Sequence, residues 1–225
     1  MKNYFHRQIE LWGEDKQNSL QDKSIAIIGS GGLGCSVAIA LGSSGIGTIY
    51  CVDFDKVEIH NIHRQIAFRV EDETKYKSEV LSTLLKQRSP YVKAIAKTTD
   101  FKQFSNENIK LDLIIDATDN LKVRKEIDNY AQKTNTPWIY GSVEKFYGHV
   151  CFFENSDFSS FKDIDKTPDG IAAPMVMHIA SLQANLALRY LVGMSVKKDI
   201  LYYLYFDDNG ELITQKFNLP KAIHG

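Results

Sequence analysis

The sequence has few of the features that would tie it to an oxidising compartment or to a membrane. Its three cysteines, Cys35, Cys51 and Cys151, form no Cys-x-x-Cys pair in 225 residues. Cysteine spacing therefore predicts neither a disulfide framework nor a zinc site. The first ten residues mix charged and aromatic side chains without an apolar stretch, so we expect no secretory signal there. A reducing, cytoplasmic setting is the expectation.

Charge of one sign is also lacking. Lys and Arg number 27 against 28 Asp and Glu, which leaves a formal net charge of -1. This balance gives no overall attraction to nucleic acid or to an anionic bilayer. Residues 24–52 carry no charge, but glycines interrupt them throughout. They predict a buried strand, a helix and a second strand rather than a membrane span.

Short β-branched segments alternate with helical patterns along the first 140 residues. The predicted strands are 25–28, 48–52, 92–97, 111–116 and 138–140, and the predicted helices are 33–44, 78–88 and 122–133. Strands that alternate with helices indicate a parallel sheet covered on both faces. The length suits one globular domain.

The pattern changes after Pro137. An apolar segment at 149–153 follows the previous strand so closely that an antiparallel pairing is expected. Residues 155–170 are polar and aperiodic and predict a long loop, which makes them a candidate site. A helix at 174–191 precedes two strands joined by the hairpin signal Asp207-Asp208-Asn209-Gly210. The fold class is α/β, a doubly wound Rossmann-like mixed sheet with a parallel core and antiparallel edge strands flanked by helices.

A glycine-rich turn follows the first predicted strand and opens the first long helix. Its glycines are Gly29, Gly31, Gly32 and Gly34. Asp53 ends the next strand, in the arrangement where backbone N–H groups approach phosphates and a carboxylate accepts from a ribose hydroxyl. The alternative is that the glycines serve only helix–strand packing.

Charged and amide residues follow the strands at the same edge of the predicted sheet. They are Asp53, Asn61, Arg64, Lys77 and Asp119. A nicotinamide dehydrogenase needs little beyond the glycine pattern, whereas nucleotidyl transfer needs cations for a triphosphate and a carboxylate for Mg²⁺. The sequence supplies the second set, so nucleotidyl transfer is favoured and an NAD-dependent oxidoreductase is the alternative.

Six segments together resemble the ThiF/MoeB/HesA family, the bacterial relatives of ubiquitin-activating enzymes. They are Tyr4-Phe5-His6-Arg7-Gln8-Ile9, the glycine turn, residues 53–65, Lys77, Asp116-Ala117-Thr118-Asp119-Asn120 and Ser181-Leu182-Gln183-Ala184. The resemblance covers nearly the whole chain. It implies one adenylation domain over residues 1–225, with a helical N-terminal extension at 1–22 and a crossover loop at 155–173.

The resemblance also implies roles for single residues. Asp53 would hold the ATP ribose, while Asn61, Arg64 and Lys77 would contact the phosphates. Asp119 would bind Mg²⁺. Arg7 would reach the nucleotide of the other subunit as an arginine finger, because enzymes of this family work as dimers. Their substrate is the C-terminal Gly-Gly carboxylate of a ubiquitin-fold sulfur carrier, in thiamine or molybdopterin synthesis, with a further protein as sulfur donor.

Plainer roles stay open at several of these positions. Arg7 could form a surface pair with Glu10, and Asp119 could cap the helix that follows it. His60 and His63 form an H-x-x-H without a third clustered ligand, so they are interpreted as loop or core histidines.

Two departures from the family pattern stand out. The two Cys-x-x-Cys pairs that bind a structural zinc in most bacterial members are missing, so no zinc is expected. The crossover loop has no cysteine either, which puts a covalent carrier intermediate in doubt but leaves adenylation intact. Other functions remain open: adenylation of another substrate such as a modified tRNA base, or service as a non-catalytic activating-enzyme subunit.

Overall fold

A computed structural model of the chain describes residues 2–161 and 170–222. The strands are β1 Ser24–Ile28, β2 Thr48–Val52, β3 Lys93–Lys97, β4 Leu113–Asp116, β5 Trp138–Glu144, β6 Tyr147–Phe153, β7 Ile200–Phe206 and β8 Leu212–Asn218. The α-helices are α1 His6–Trp12, α2 Glu14–Ser19, α3 Gly32–Gly42, α4 Lys77–Arg88, α5 Phe101–Ser105, α6 Leu121–Thr134 and α7 Ala173–Leu191.

The strands form one sheet in the order β3-β2-β1-β4-β5-β6-β7-β8. β1 to β5 pair in parallel, and β6, β7 and β8 extend the sheet in antiparallel fashion. The chain moves outward from β1 to β3 and then returns to place β4 on the other side of β1. Ligands bind in open α/β sheets at such a reversal point, outside the carboxyl ends of the strands. The predicted mixed Rossmann-like sheet is confirmed.

Each face of the sheet has its own hydrophobic core. The helices α3, α4 and α7 bury their apolar residues on one face, against side chains such as Ile27 and Phe152. On the other face, α5 and α6 cover a cluster that includes Phe104, Ile127 and Trp138. This two-layer cover explains why the parallel strands are apolar on both faces. Within the described residues, no helix is long and apolar enough to cross a membrane.

The strand and helix order follows the sequence prediction, with two differences. The helix α5 was not predicted, because five residues are too few to show a helical period; its N-cap is the Asp100 side chain, which accepts from Gln103 N–H at 2.7 Å. The strand β5 continues to Glu144 instead of ending near residue 140, because it pairs with β6 along its whole length. The antiparallel pairing of these two strands is as predicted.

The helices α1 and α2 pack at the edge of the sheet where the parallel strands begin. Phe5 is buried and lies against Tyr91, with ring centroids 5.2 Å apart. Gln17 is fully buried and donates to Ser44 O at 2.9 Å. Tyr91 and Ser44 both lie in the turns that lead into parallel strands, so the N-terminal segment is fixed opposite the carboxyl ends of the strands.

The beginning of the predicted crossover loop is held by the carboxylate of Asp199. This carboxylate accepts from the backbone N–H groups of Glu154, Asn155 and Ser156 at 3.0–3.2 Å. Burial alone would raise the pKa of Asp199, but these backbone hydrogen bonds outweigh it and lower the pKa. Phe158 follows in a short 3-10 helix, is buried, and donates its N–H to Asp128. Residues 162–169 of the loop lie outside the described residues.

The Asp199 interaction predicts a pH-dependent contribution to stability. Asp199→Asn keeps a side chain that tolerates the left-handed backbone at this position (φ 57) but removes the charge. We expect a loss of about 1 kcal/mol at pH 7. Because the pKa of the folded state is lowered, the loss is present above about pH 4, the ordinary Asp pKa, and disappears as the pH falls through the folded-state value. Thermal unfolding of both proteins between pH 7 and pH 2.5 measures it, and a difference independent of pH would contradict the interpretation.

Candidate functional site

The carboxyl ends of β1, β2 and β4 meet around the glycine turn. Gly29 has φ 94, and a Cβ built on it would lie 2.7 Å from Ala117 O, in the segment that follows β4. A Cβ on Gly34 would lie 2.0 Å from Gly29 O, and one on Gly32 would lie 2.8 Å from Val176 Cγ1 and 3.3 Å from Arg64 O. At Gly31 the nearest atom is Gln65 Nε2, at 3.7 Å. Three of the four glycines are thus required by contacts within the protein, and Gly31 is the one that leaves space.

Asp53 lies directly beside the glycine turn. Its Oδ2 accepts from Ser30 N–H at 2.6 Å, and its Oδ1 accepts from Asp55 N–H at 2.7 Å. Burial raises the pKa of Asp53, although these two N–H groups and the Lys77 ammonium oppose the rise. The carboxylate is therefore fixed in orientation within hydrogen-bonding distance of the loop that opens α3.

Lys77 brings a cation to the same edge. It is the first residue of α4 and is 6% exposed, with its Nζ 3.2 Å from Asp55 Oδ2. The next residue, Ser78, donates its hydroxyl to Asp53 O at 2.9 Å. Asp55 is the exposed member of this pair and the Lys77 ammonium is nearly buried, so Lys77 places a cation that needs an anionic partner at this edge.

Asn61 and Arg64 occupy the connection between β2 and α4. Arg64 donates from Nη2 to Asn61 Oδ1 at 2.9 Å, and its Nη1 lies 2.9 Å from His63 Nε2. The backbone oxygen of Arg64 faces Gly32, which places this connection against the start of α3. His60 pairs with Glu58 at 3.3 Å. No cluster of three or more metal-ligating side chains occurs in the parts of the chain that the structure describes.

A buried ion pair holds the segment that follows β4. Asp116 is fully buried, and its Oδ2 accepts from Arg124 Nε at 3.1 Å. Its Oδ1 accepts from both the N–H and the hydroxyl of Thr118, and Arg124 Nη2 donates to Thr118 O. Burial raises the pKa of Asp116, and the Arg124 charge opposes that rise. From α7, Gln183 donates to Asp116 O at 2.8 Å.

Arg124 and Gln183 were not predicted as site residues from the sequence. Arg124 lies on the buried stripe of α6 together with Ile127, Asp128 and Ala131. The sequence pattern could have identified Arg124, because a charged residue on the buried stripe of a helix requires a buried partner. No comparable signal marks Gln183 in the sequence. Its segment, residues 181–184, was used only as part of the family resemblance.

Asp119 extends from this fixed segment into solvent. It is exposed, and the structure resolves the question of the helix cap: the side chain of Asn120, not Asp119, accepts from the N–H groups of Lys122 and Val123. The Asp119 carboxylate is therefore not used as a helix cap. It lies beside Thr118, which approaches Gly29 across the turn.

Arg7 is not brought to this site within the chain. It lies on α1, at the edge where the strands begin, and its side chain is 88% exposed. Its Nη1 is 2.9 Å from Glu10 Oε2, which is the surface pair considered from the sequence. A role for Arg7 at a nucleotide requires a second subunit.

The residues at this edge fit a nucleoside triphosphate with Mg²⁺. The open position at Gly31 lies at the N-terminus of an eleven-residue helix, where backbone N–H groups favour an anion. The cation Arg64 lies against Gly32, and the cation Lys77 pairs with the exposed Asp55. The exposed Asp119 follows Thr118, which approaches Gly29. Oxygen ligands of this kind are the ones Mg²⁺ takes, commonly together with substrate phosphates.

The fold and this edge define a doubly wound α/β protein with a glycine-rich turn at the reversal point of the sheet, and comparison with known proteins specifies the family. The model of the ThiF family matches residues 5–223. This chain belongs to the ThiF family. A crystal structure of Escherichia coli MccB with ATP has the same fold, with a TM-score of 0.86, 20% identity, and coverage of 98% of this chain and 72% of that one.

Two curated relatives have closer sequences. The Sulfur carrier protein ThiS adenylyltransferase of Escherichia coli strain K12 is 31% identical over 192 residues, which are 80% of this chain and 76% of that protein. An adenylyltransferase and sulfurtransferase of Dictyostelium discoideum is 34% identical over 194 residues, or 80% of this chain. The match spans about half of the Dictyostelium protein, at 46% of its length.

The buried ion pair predicts a large stability effect. Arg124→Met leaves the Asp116 carboxylate buried without its cation, and we expect a loss of about 3–5 kcal/mol in the free energy of unfolding. The double variant Asp116→Asn with Arg124→Met removes both charges and should recover part of that loss. Urea unfolding of the three proteins measures it. A double variant less stable than Arg124→Met would show that the charge of Asp116 is not the cause.

Proposed function

We propose that the protein is an ATP-dependent adenylyltransferase that activates the C-terminal glycine carboxylate of a ubiquitin-fold sulfur carrier. The observation that carries the proposal is the convergence of the glycine turn, Asp53, Arg64, Lys77 and the Thr118–Asp119 segment at one sheet edge. The names of the curated relatives support it. Membership of the ThiF family supports it over the NAD-dependent oxidoreductase.

The positions of the site residues suggest a role in ATP binding for each of them. Asp53 would accept from the ribose, and the Gly31 backbone would leave room for phosphate. Asn61, Arg64 and Lys77 would bind the phosphates, and Asp119 would hold Mg²⁺. When bound, Mg²⁺ neutralises phosphate charge. Arg64 and Lys77 would lower the repulsion between the incoming carboxylate and the α-phosphate and stabilise the departing pyrophosphate.

The burial of the three cysteines favours a reaction that ends at the carrier adenylate, with no thioester to this chain. Cys35, Cys51 and Cys151 are all 0% exposed. Burial raises the pKa of the Cys35 and Cys51 thiols to about 12 and raises that of Cys151 as well. A thiol that forms a thioester must be accessible and partly ionised near neutral pH. We infer that the carrier adenylate passes to a separate sulfur donor protein, without a covalent link to this chain.

The pathway within this class is the finer part of the proposal. Thiamine synthesis is favoured slightly over molybdopterin synthesis, and the Escherichia coli relative named for the carrier ThiS supports that order. We further propose that the protein is a cytoplasmic homodimer and that it binds no zinc. Residues 1–225 would form a single adenylation domain. Adenylation of a modified tRNA base is less favoured, because the net charge of -1 gives no general attraction to RNA.

ATP–pyrophosphate exchange tests the activity. With Mg²⁺ and a Gly-Gly-ended ubiquitin-fold carrier, the protein should exchange pyrophosphate, and mass spectrometry should detect carrier–AMP and no enzyme–carrier adduct. Asp119→Ala should lower kcat for exchange by at least ~10²-fold. Because Asp119 is exposed and caps no helix, its unfolding transition should be unchanged. A variant that keeps most of its exchange rate would contradict the metal-binding role.

Complementation between subunits tests Arg7. If Arg7 acts on the partner's nucleotide, Arg7→Ala and Asp119→Ala are each inactive, but their mixture should recover activity. A mixed dimer has one site with Asp119 of one chain and Arg7 of the other, so after full exchange of subunits about a quarter of the sites should work. A mixture that stays inactive although subunit exchange is demonstrated would contradict the role.

A further inference from the structure

The ring of Tyr140 contacts both the buried ion pair and residues 154–161, the described segment that follows β6. Tyr140 lies on β5 and is 6% exposed. The guanidinium carbon of Arg124 lies 5.0 Å from the centroid of its ring. The ring centroids of Phe158 and Phe161 lie 5.5 and 5.4 Å from that of Tyr140. One buried ring therefore joins the cation of the ion pair to the segment 154–161.

The contact between Tyr140 and Arg124 is a cation–ring contact and not a second ion pair. Burial raises the pKa of Tyr140 more than the Arg124 charge lowers it, so the hydroxyl stays protonated and donates to Ser142 Oγ at 2.8 Å. The hydrogen bonds of Arg124 to Asp116 and Thr118 use the edge of the planar guanidinium, which leaves its flat face for the ring. Because both residues are buried, water does not weaken this contact.

The two sides of this contact act at opposite edges of the sheet. Asp116 and Thr118 lie at the carboxyl ends of the parallel strands, next to the glycine turn. The strand β6 is antiparallel to β5, so the segment 154–161 begins at the other edge, where Asp199 accepts from the N–H groups of residues 154–156. β1 and β6 are also three strand spacings apart, roughly 14 Å. An effect of a nucleotide on these N–H groups must therefore be transmitted through the protein.

We propose that Tyr140 is a positioning residue that links the segment 154–161 to the nucleotide site. The segment holds the ring, the ring holds the Arg124 guanidinium, and Arg124 fixes the turn that carries Thr118 and Asp119. This assignment rests on the proposed function, in which Asp119 takes part in ATP binding. A link of this kind is reciprocal: the factor by which the ring strengthens ATP binding is the factor by which bound ATP stabilises the segment.

Two substitutions at Tyr140 separate the ring from its hydroxyl. Tyr140→Phe keeps the ring and should bind ATP with Mg²⁺ within about twofold of the unmodified protein. Tyr140→Leu removes the ring and should raise the Kd about fivefold, the size of one desolvated cation–ring contact. Phe101→Leu is the matched control, since Phe101 is equally buried in the same core but packs on Tyr130, and its Kd should be unchanged. Calorimetric titration of the full chain measures the four affinities.

Hydrogen exchange with and without ATP and Mg²⁺ measures the reciprocal effect. ATP should slow the exchange of the N–H groups of residues 154–156 about fivefold in the unmodified protein, in Tyr140→Phe and in Phe101→Leu, but not in Tyr140→Leu. The N–H groups of Asn209 and Glu211 are the internal reference, because the Asp207 carboxylate accepts from them in the same way. Their exchange should not depend on ATP.

Four results would overturn the assignment. They are slowing that persists in Tyr140→Leu, slowing that extends equally to the reference groups, a Tyr140→Phe protein that behaves as Tyr140→Leu does, and an unmodified protein that binds ATP without slowing at residues 154–156. The last of these needs no variant, so the test holds even where Tyr140→Leu does not fold. An unmodified protein that binds no ATP would overturn the proposed function itself.

Discussion

The ion pair between Asp116 and Arg124 is the interaction on which the geometry of the site depends. It joins the end of β4 to the first turn of α6, and through Thr118 it fixes the short segment between them. The same Asp116 receives Gln183 from α7 on its backbone oxygen, so elements from both faces of the sheet meet at one residue. The position of Asp119 and the approach of Ala117 to Gly29 both follow from this junction.

Much of the fold could be predicted from the sequence because its signals are local. The glycine turn, the apolar parallel strands and the hairpin at Asp207–Gly210 each lie within a dozen residues. Asp53 and Lys77 could be placed at the same edge, since carboxyl ends of neighbouring parallel strands meet there. The structure supports that placement with the hydrogen bond from Ser30 N–H to Asp53 and the contact between Lys77 and Asp55.

The rest of the site could not be predicted because it depends on contacts between distant segments. Gln183 reaches Asp116 across 67 residues of sequence, and no local pattern marks that meeting. The approach of the Arg64 backbone oxygen to Gly32 is likewise a contact between segments that are far apart in the sequence. Arg7 shows a further limit. Its pairing with Glu10 lies within one helix and is visible in the structure, whereas the nucleotide proposed as its partner would belong to another subunit.

The burial of all three thiols has a practical consequence for solution studies. Cys35 and Cys51, with pKa values raised to about 12, and the buried Cys151 present almost no thiolate to an alkylating dye near neutral pH. A single cysteine introduced on an exposed helix would therefore take a maleimide fluorophore alone, with the native cysteines left in place. Energy transfer between two such labels could then measure distances in solution, including those between the subunits of the proposed dimer, without first making a cysteine-free variant.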